Sequence, residues 1–321
     1  MEVTVIPGDK LLVRLWETIA DKGIGSLLRP WPTLREDQAA LEVRRQELSS
    51  LQQALAANHA ESAPSATGDS AQGASRSDIA AIAARNLQTE GVRREIALAS
   101  TVAHAEQTLL SDESELSTLA VADNWLLRWR DCVASVSSEE LYSLWGRVLA
   151  AEVKTPGQFT LRGLEFIRNL TPEEARAIDK LSPFSVENFI PQGSKVLDAA
   201  GVTLEVLNEM QNIGVLTGVQ PSPMTAKIRS IGTDRFYCAL RCPGNTMLAV
   251  TADDPTKLCI VTVYFVSGIG RQIMNLRVSQ PNEEMLAVLT AEIKQQGFKV
   301  QRGKFKLVRP GTAQFYDLTD L

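Results

Sequence analysis

Histidine is nearly absent. The 321-residue chain has two, His59 and His104, both in its first third. With no imidazole after residue 104, Ser-His-Asp and Cys-His catalysis are excluded from the remaining two-thirds unless a helix folds back. Both histidines are expected at solvated helix positions. Long apolar runs are missing too: the longest, "LCIVTVYFV", has nine residues, whereas a bilayer span takes about 20. No transmembrane segment is expected. The start, "MEVTVIPGDK", has no basic stretch followed by an apolar one, so no export signal is read. Cysteine is scarce at four residues, which fits free thiols in a reducing compartment, by default the cytoplasm. No charge sign dominates. The net charge of −5 argues against a whole-chain electrostatic design for nucleic acid or membrane, yet residues 220–321 hold 13 Lys/Arg and 8 Asp/Glu, net +5, against −10 for the rest.

What is present is globular: 44% apolar and 22% charged residues, in a chain long enough for two or three domains. Leu11, Leu12, Leu15, Trp16 and Ile19 recur at helical spacing until "DKGIGSLLRPWP" ends the segment. Its polar face mixes Arg14, Glu17 and Asp21. That mixture favours docking onto protein over peripheral membrane contact through residues 11–31, which would call for Lys and Arg. Leu34, Leu41, Leu48 and Leu55 then recur every seven residues, but Asp37 and Arg44 occupy the partner positions and only Leu51 fits. Residues 1–60 therefore hold an amphipathic helix and a long helix. The leucines serve self-association or lie on another helix of the same chain. Residues 61–78, small, polar and aperiodic, read as a disordered linker, and residues 79–113 as a second long helix with Gly91 as a weak point.

Residues 114–190 read as a helical bundle. Ser137 with Glu140, and Thr171-Pro172-Glu173-Glu174, are capping boxes. Leu141, Leu144, Trp145, Val148 and Leu149 make one apolar face, Leu161, Leu164 and Ile167 another, and Trp125, Trp129 and Val133 a third. Each charge caps an end or lies off a stripe, so packing accounts for most of the segment. The Leu-Trp-Gly-Arg at 144–147, Ala-Glu at 151–152, Pro-Gly at 156–157 and Thr-Leu-Arg at 160–162 resemble the signature of a bacterial family known only as a domain of unknown function. "LLRPW" and "AGVTLEVLNEMQNIGVL" fit the same layout. The resemblance implies no activity. A looser likeness in layout to abortive-infection alpha proteins implies a role in antiviral defence.

Residues 191–321 read as a winged-helix-like and antiparallel-sheet domain. "SKVLDAAGVTLEVLNEMQNIGVLTGV" gives helix, turn, helix and strand, but Glu205 and Glu209 are the only charges of the second helix and would repel phosphate. "RFYCALRC", "TMLAVTA" and "KLCIVTVYFV" are strands between "PGN" and "DDPT" turns; helices in "SGIGRQIMNLRV" and "NEEMLAVLTAEIKQQ" and a strand in "FKVQRGKFKLVRP" follow. Cys238, Cys242 and Cys259 are expected as core thiols, because a zinc site wants a fourth ligand. Gly268 and Gly270 lack the third glycine and the acidic residue of a dinucleotide site and read as a helix-start turn. The carboxylate pairs Glu139/Glu140, Glu173/Glu174 and Glu283/Glu284 suit first helical turns. Lys294, Lys299, Arg302, Lys304, Lys306 and Arg309 form a run with no acidic residue up to Tyr316. It reads as a solvated strand face first, and as a binding edge for an anionic partner second.

The sequence thus predicts a predominantly helical α+β protein: long N-terminal helices, a central helical bundle, and a C-terminal winged-helix-like plus antiparallel-sheet domain. The expected function is non-enzymatic assembly in a bacterial cytoplasm, as a homo-oligomer or with a partner protein and without cofactor or metal. Nucleic-acid binding through Lys299, Arg302, Lys304, Lys306 and Arg309 is the alternative, and an enzyme of unfamiliar type comes last.

Overall fold

The computed structural model describes residues 9–20, 76–110, 112, 117–219, 224–276, 279–309 and 312–321, with isolated positions between 43 and 53. Helices and two antiparallel sheets make it an α+β fold, divided into two units at residues 1–165 and 166–321. No described helix is long and apolar enough to cross a membrane.

The described part of the first unit is helical. It holds α1 (Asp9–Ala20), α2 (Arg76–Leu110), α3 (Asp123–Val133), α4 (Glu139–Lys154) and the start of α5 (Leu161–Arg168). The apolar stripe of α1 docks on α2 and α4, with Leu11, Leu15 and Ile19 at most 1% exposed. Burial of this kind contributes about 2 kcal/mol per side chain. The stripe therefore faces the protein's own interior. α2 also packs on α3 and α4, and every residue from Ile96 to Glu106 is buried, so this half is the axis of the unit. Trp129 and Trp145 are buried, and the indole N–H of Trp129 donates to the Trp145 carbonyl at 3.2 Å, which satisfies a polar group inside the core. The cap of α4 differs from the sequence expectation by one residue: Ser138, not Ser137, accepts from the Leu141 N–H. Gly91 lies within continuous helix.

In the second unit α6 (Pro172–Leu181) starts with the predicted capping box, Thr171 and Glu174 bonding each other's backbone N–H. A 3-10 turn, β1 (Phe189–Pro191), α7 (Ser194–Ala199), α8 (Leu204–Asn212), β2 (Leu216–Thr217) and β3 (Met224–Ile228) follow. β4 (Phe236–Arg241) and β5 (Thr246–Ala252) form a hairpin, and β6 (Cys259–Val266) returns to pair antiparallel with β1, β2 and β3. After α9 (Gly268–Met274) and α10 (Glu283–Gln295), β7 (Lys299–Arg309) and β8 (Thr312–Asp320) complete a second antiparallel sheet in the order β4-β5-β7-β8. The predicted strands thus divide between two sheets. One core joins them: Leu286, Leu289 and Ile293 of α10 meet Phe236 and Leu240 of β4, Val250 of β5, and Val261 and Val263 of β6. β8 goes beyond the strands the sequence predicts, because "TAQFYDLTD" lacks a regular alternation of apolar and polar residues.

Candidate functional site

The signature between residues 144 and 163 is a self-contained piece of packing. Leu144, Trp145 and Gly146 lie on the buried side of α4. A Cβ built on Gly146 would stand 2.5 Å from the His104 Cβ and 2.8 Å from the Thr101 carbonyl oxygen, so α2 and α4 cross almost backbone to backbone and only glycine fits. Six residues further along α4, Glu152 is 2% exposed. Its carboxylate accepts from the Gly157 N–H at 2.6 Å and the Phe159 N–H at 2.9 Å. The loop turns at Gly157, which has φ of 89°, and Thr160 then accepts from the Gly163 N–H to open α5. Burial pushes the Glu152 carboxyl above its ordinary value, and the Gly157, Phe159 and Gln158 N–H groups oppose that shift. The Ala-Glu, Pro-Gly and Thr-Leu-Arg elements are therefore one device: a carboxylate gathers a loop's amides and sets the start of the next helix.

α2 carries a second polar feature. Ser100, Thr101, His104 and Glu106 are all buried among the apolar residues of its inner half. His104 is 7% exposed, with Nε2 at 3.0 Å from Oε1 of Glu139. The expectation of a solvated His104 is corrected here, because the half of α2 that holds it is covered all round. His59 lies outside the described residues. Glu139 and Glu140, Glu173 and Glu174, and Glu283 and Glu284 do open α4, α6 and α10.

All four cysteines are buried free thiols. Burial pushes the Cys238 and Cys259 thiols up to about 11 and the Cys242 thiol to about 12. Cys238, Cys242 and Cys259 are protonated core residues at neutral pH. Among the described residues, His, Cys, Asp and Glu form no cluster that could hold a metal. Ser267 caps α9 by accepting from the Gly270 N–H, and a Cβ on Gly270 would lie 2.5 Å from the Val215 carbonyl oxygen, so this glycine permits a close approach of α9 to the backbone just before β2.

The basic run is split by its neighbours. Arg302 donates two bonds to Glu283, at 2.6 and 2.8 Å, and the pairing holds the Glu283 carboxyl below the usual carboxylate range. Lys294 donates to the Leu321 carbonyl. Lys299, Lys304 and Lys306 are exposed, and the side chain of Arg309 lies outside the described residues. Phe305 and Phe315, paired across β7 and β8, are only half-buried, so this stretch leaves the core as a two-stranded ribbon. Of the self-association candidates, Leu51 is 51% exposed; Leu34, Leu41, Leu48 and Leu55 lie outside the described residues. Sequence reading missed the side chains that trim the sheets. Glu187, at φ of 50°, accepts from the Arg241 backbone N–H and holds its guanidinium with both oxygens, while Gln296 and Glu292 bond the free side of β6. Their partners are 30 to 54 residues away and give no local pattern.

Residues 83–201 match the model of a family described as "Protein of unknown function (DUF2806)". That stretch contains the signature, so the resemblance to an uncharacterised domain-of-unknown-function family is upheld. No curated protein and no solved structure matches the chain.

Proposed function

We propose that this is a non-enzymatic assembly protein whose helical unit self-associates and whose C-terminal unit faces a partner. The carrying observation is the outer half of α2. This helix has 35 residues, about 52 Å at 1.5 Å per residue, and among those with described side chains the buried ones all lie in its inner half. Ile82, Leu87 and Val92 are 57%, 75% and 41% exposed. Successive members of this trio lie about 140° apart around the helix axis, so the apolar side chains point in several directions. Most of a helix's stability in a protein comes from packing of its apolar side chains, and apolar side chains all round suit burial among several helices better than a single two-stranded seam. The test is light scattering on the full chain and on Ile82→Glu/Leu87→Glu, two exposed sites whose change leaves the inner half of α2 in place. A wild-type chain larger than one copy and a double variant reduced towards one copy support the reading. A monomeric wild type overturns it.

The order α6, β1, α7, α8, β2/β3, β6, with β6 between β1 and β2/β3, supports a winged-helix-like reading of the C-terminal unit. The exposed acids Glu205 and Glu209 on α8 argue for its use in protein contact rather than in reading DNA. The second functional reading, nucleic-acid binding, is favoured by exposed Lys299, Lys304 and Lys306 alone. A place in antiviral defence rests on the layout likeness, and unchanged phage plating on cells expressing the chain would remove it.

A further inference from the structure

Sheet edges invite pairing with other chains, and proteins blunt them with short strands, lysine, proline, bulges or covering groups. In the C-terminal unit nearly every edge is blunted. On β4, Tyr237 bonds the Ser230 hydroxyl and the Ile231 N–H, and Arg241 bonds Glu187 through both its N–H and its C=O. On β6, the Gln296 amide takes both backbone groups of Ile260, and Glu292 and the Gln192 N–H take those of Thr262. β1 is three residues long and ends in Pro191; β3 has five residues and carries exposed Lys227.

β8 is the exception. It has nine residues, contains neither lysine nor proline, and among the described strands pairs with β7 alone. Its pairing with β7 is irregular at two places: beside Asp317, with φ of 54°, in the second half of β8, and at its first residues, where β7 carries one extra residue between Leu307 and Arg309; from Ala313 to Tyr316 the register is regular. The Phe305 N–H donates to Asn245, away from β8, so the alternation of an antiparallel ladder turns Gln314 and Tyr316 towards β7. The N–H and C=O of Ala313 and Phe315 then point outward, and no bond from the described residues reaches them. Both faces of this ribbon are distinctive. One shows exposed Lys304 and Lys306 behind exposed Tyr316 and Gln314; the other shows half-buried Phe305 and Phe315.

We infer that the Thr312–Tyr316 edge of β8 is a docking site for an extended segment of a partner protein in which acidic and apolar residues alternate. Such a segment adds a fifth strand. Its carboxylates lie on the lysine face, about 10 Å from β7 at two strand spacings, within reach of flexible lysine side chains. Its apolar residues extend the Phe305–Phe315 pair on the other face. Charge selects the partner and backbone pairing holds it. A second copy of β8 would set two lysine ribbons on the same face, so an acidic partner fits better than self-pairing. The inference rests on the reading that the C-terminal unit faces a partner and is independent of self-association.

The probe is a fluorescent alternating glutamate–valine peptide, titrated by polarisation against the full chain. The expected result is saturable binding, about tenfold or more weaker for Lys304→Glu/Lys306→Glu and for a lysine–valine peptide, and abolished when alternate backbone nitrogens of the peptide are methylated. Ala313→Pro removes an outward N–H without touching the β7 ladder and should weaken binding similarly. Should that variant misfold, the methylated peptide still tests backbone pairing with the chain intact. No binding, equal binding of the methylated or lysine peptide, or preferential retention of an oligonucleotide overturns the proposal. Persistent oligomers without peptide binding sink this inference alone; a monomer that binds peptide sinks only the assembly reading.

Discussion

Between α2 and α4 a single missing methyl group sets the packing distance. At Gly146 the nearest obstacles to a side chain include backbone atoms of Thr101 and Ala105, which cannot rotate aside. Gly146→Ala is therefore expected to lose about 3 kcal/mol, the upper end of ordinary overpacking costs, by chemical denaturation. An unchanged midpoint would mean that the helices do not approach so closely. The thiols give a second prediction at this scale. A buried thiol with a raised pKa keeps its proton while the unfolded chain, titrating near about 8.5, loses it. The native state then holds more protons, and stability falls as pH rises from about 8.5 towards the native values of about 11 and 12. Each thiol contributes a slope of up to about 1.4 kcal/mol per pH unit in that window. At neutral pH a thiol reagent should label none of the four cysteines until the chain unfolds. Rapid native labelling of Cys238 would show that β4 is open there.

Among the elements, legibility followed the range of the cause. Caps at Thr171 and Ser267 bond amides three residues on, and these helix starts are readable from neighbouring letters. The stripe Leu11-Leu15-Ile19 announced its burial by spacing alone. His104 did not, because whether a helix is covered on all sides depends on α1, α3 and α4, which come from distant parts of the chain. The signature was readable as packing, yet the particular bond between Glu152 and its loop was not, since a buried glutamate and an exposed one are the same letter. β8 and the side chains that blunt β4 and β6 were missed for the same reason. The outer half of α2 is the element whose environment matters most for function. If assembly covers it, amide exchange between residues 81 and 95 should slow as protein concentration rises, while the inner half stays protected throughout. Concentration-independent exchange would argue that nothing docks there.

At the scale of the whole molecule, the net charge of −5 does not decide whether nucleic acid binds, because charges farther apart than about 8 Å are screened at physiological salt. What decides is the local count on β7 and its surroundings. Lys294 and Arg302 already have partners within the chain, leaving Lys299, Lys304 and Lys306 as exposed cations with described side chains. Three phosphate contacts release few counterions: the slope of log K against log salt should be no steeper than about −3. Retention of duplex DNA by the full chain should thus be weak at low salt and vanish near physiological salt. A slope much steeper than this would implicate cations beyond this edge and favour the nucleic-acid reading over protein docking. Lys304→Glu/Lys306→Glu should abolish whatever retention exists, as it weakens acidic peptide binding, so that variant alone cannot separate the two ligands. Backbone methylation can: it disables a peptide that pairs as a strand and has no counterpart in a phosphate contact, so the methylated peptide distinguishes a β8 partner from a merely anionic one.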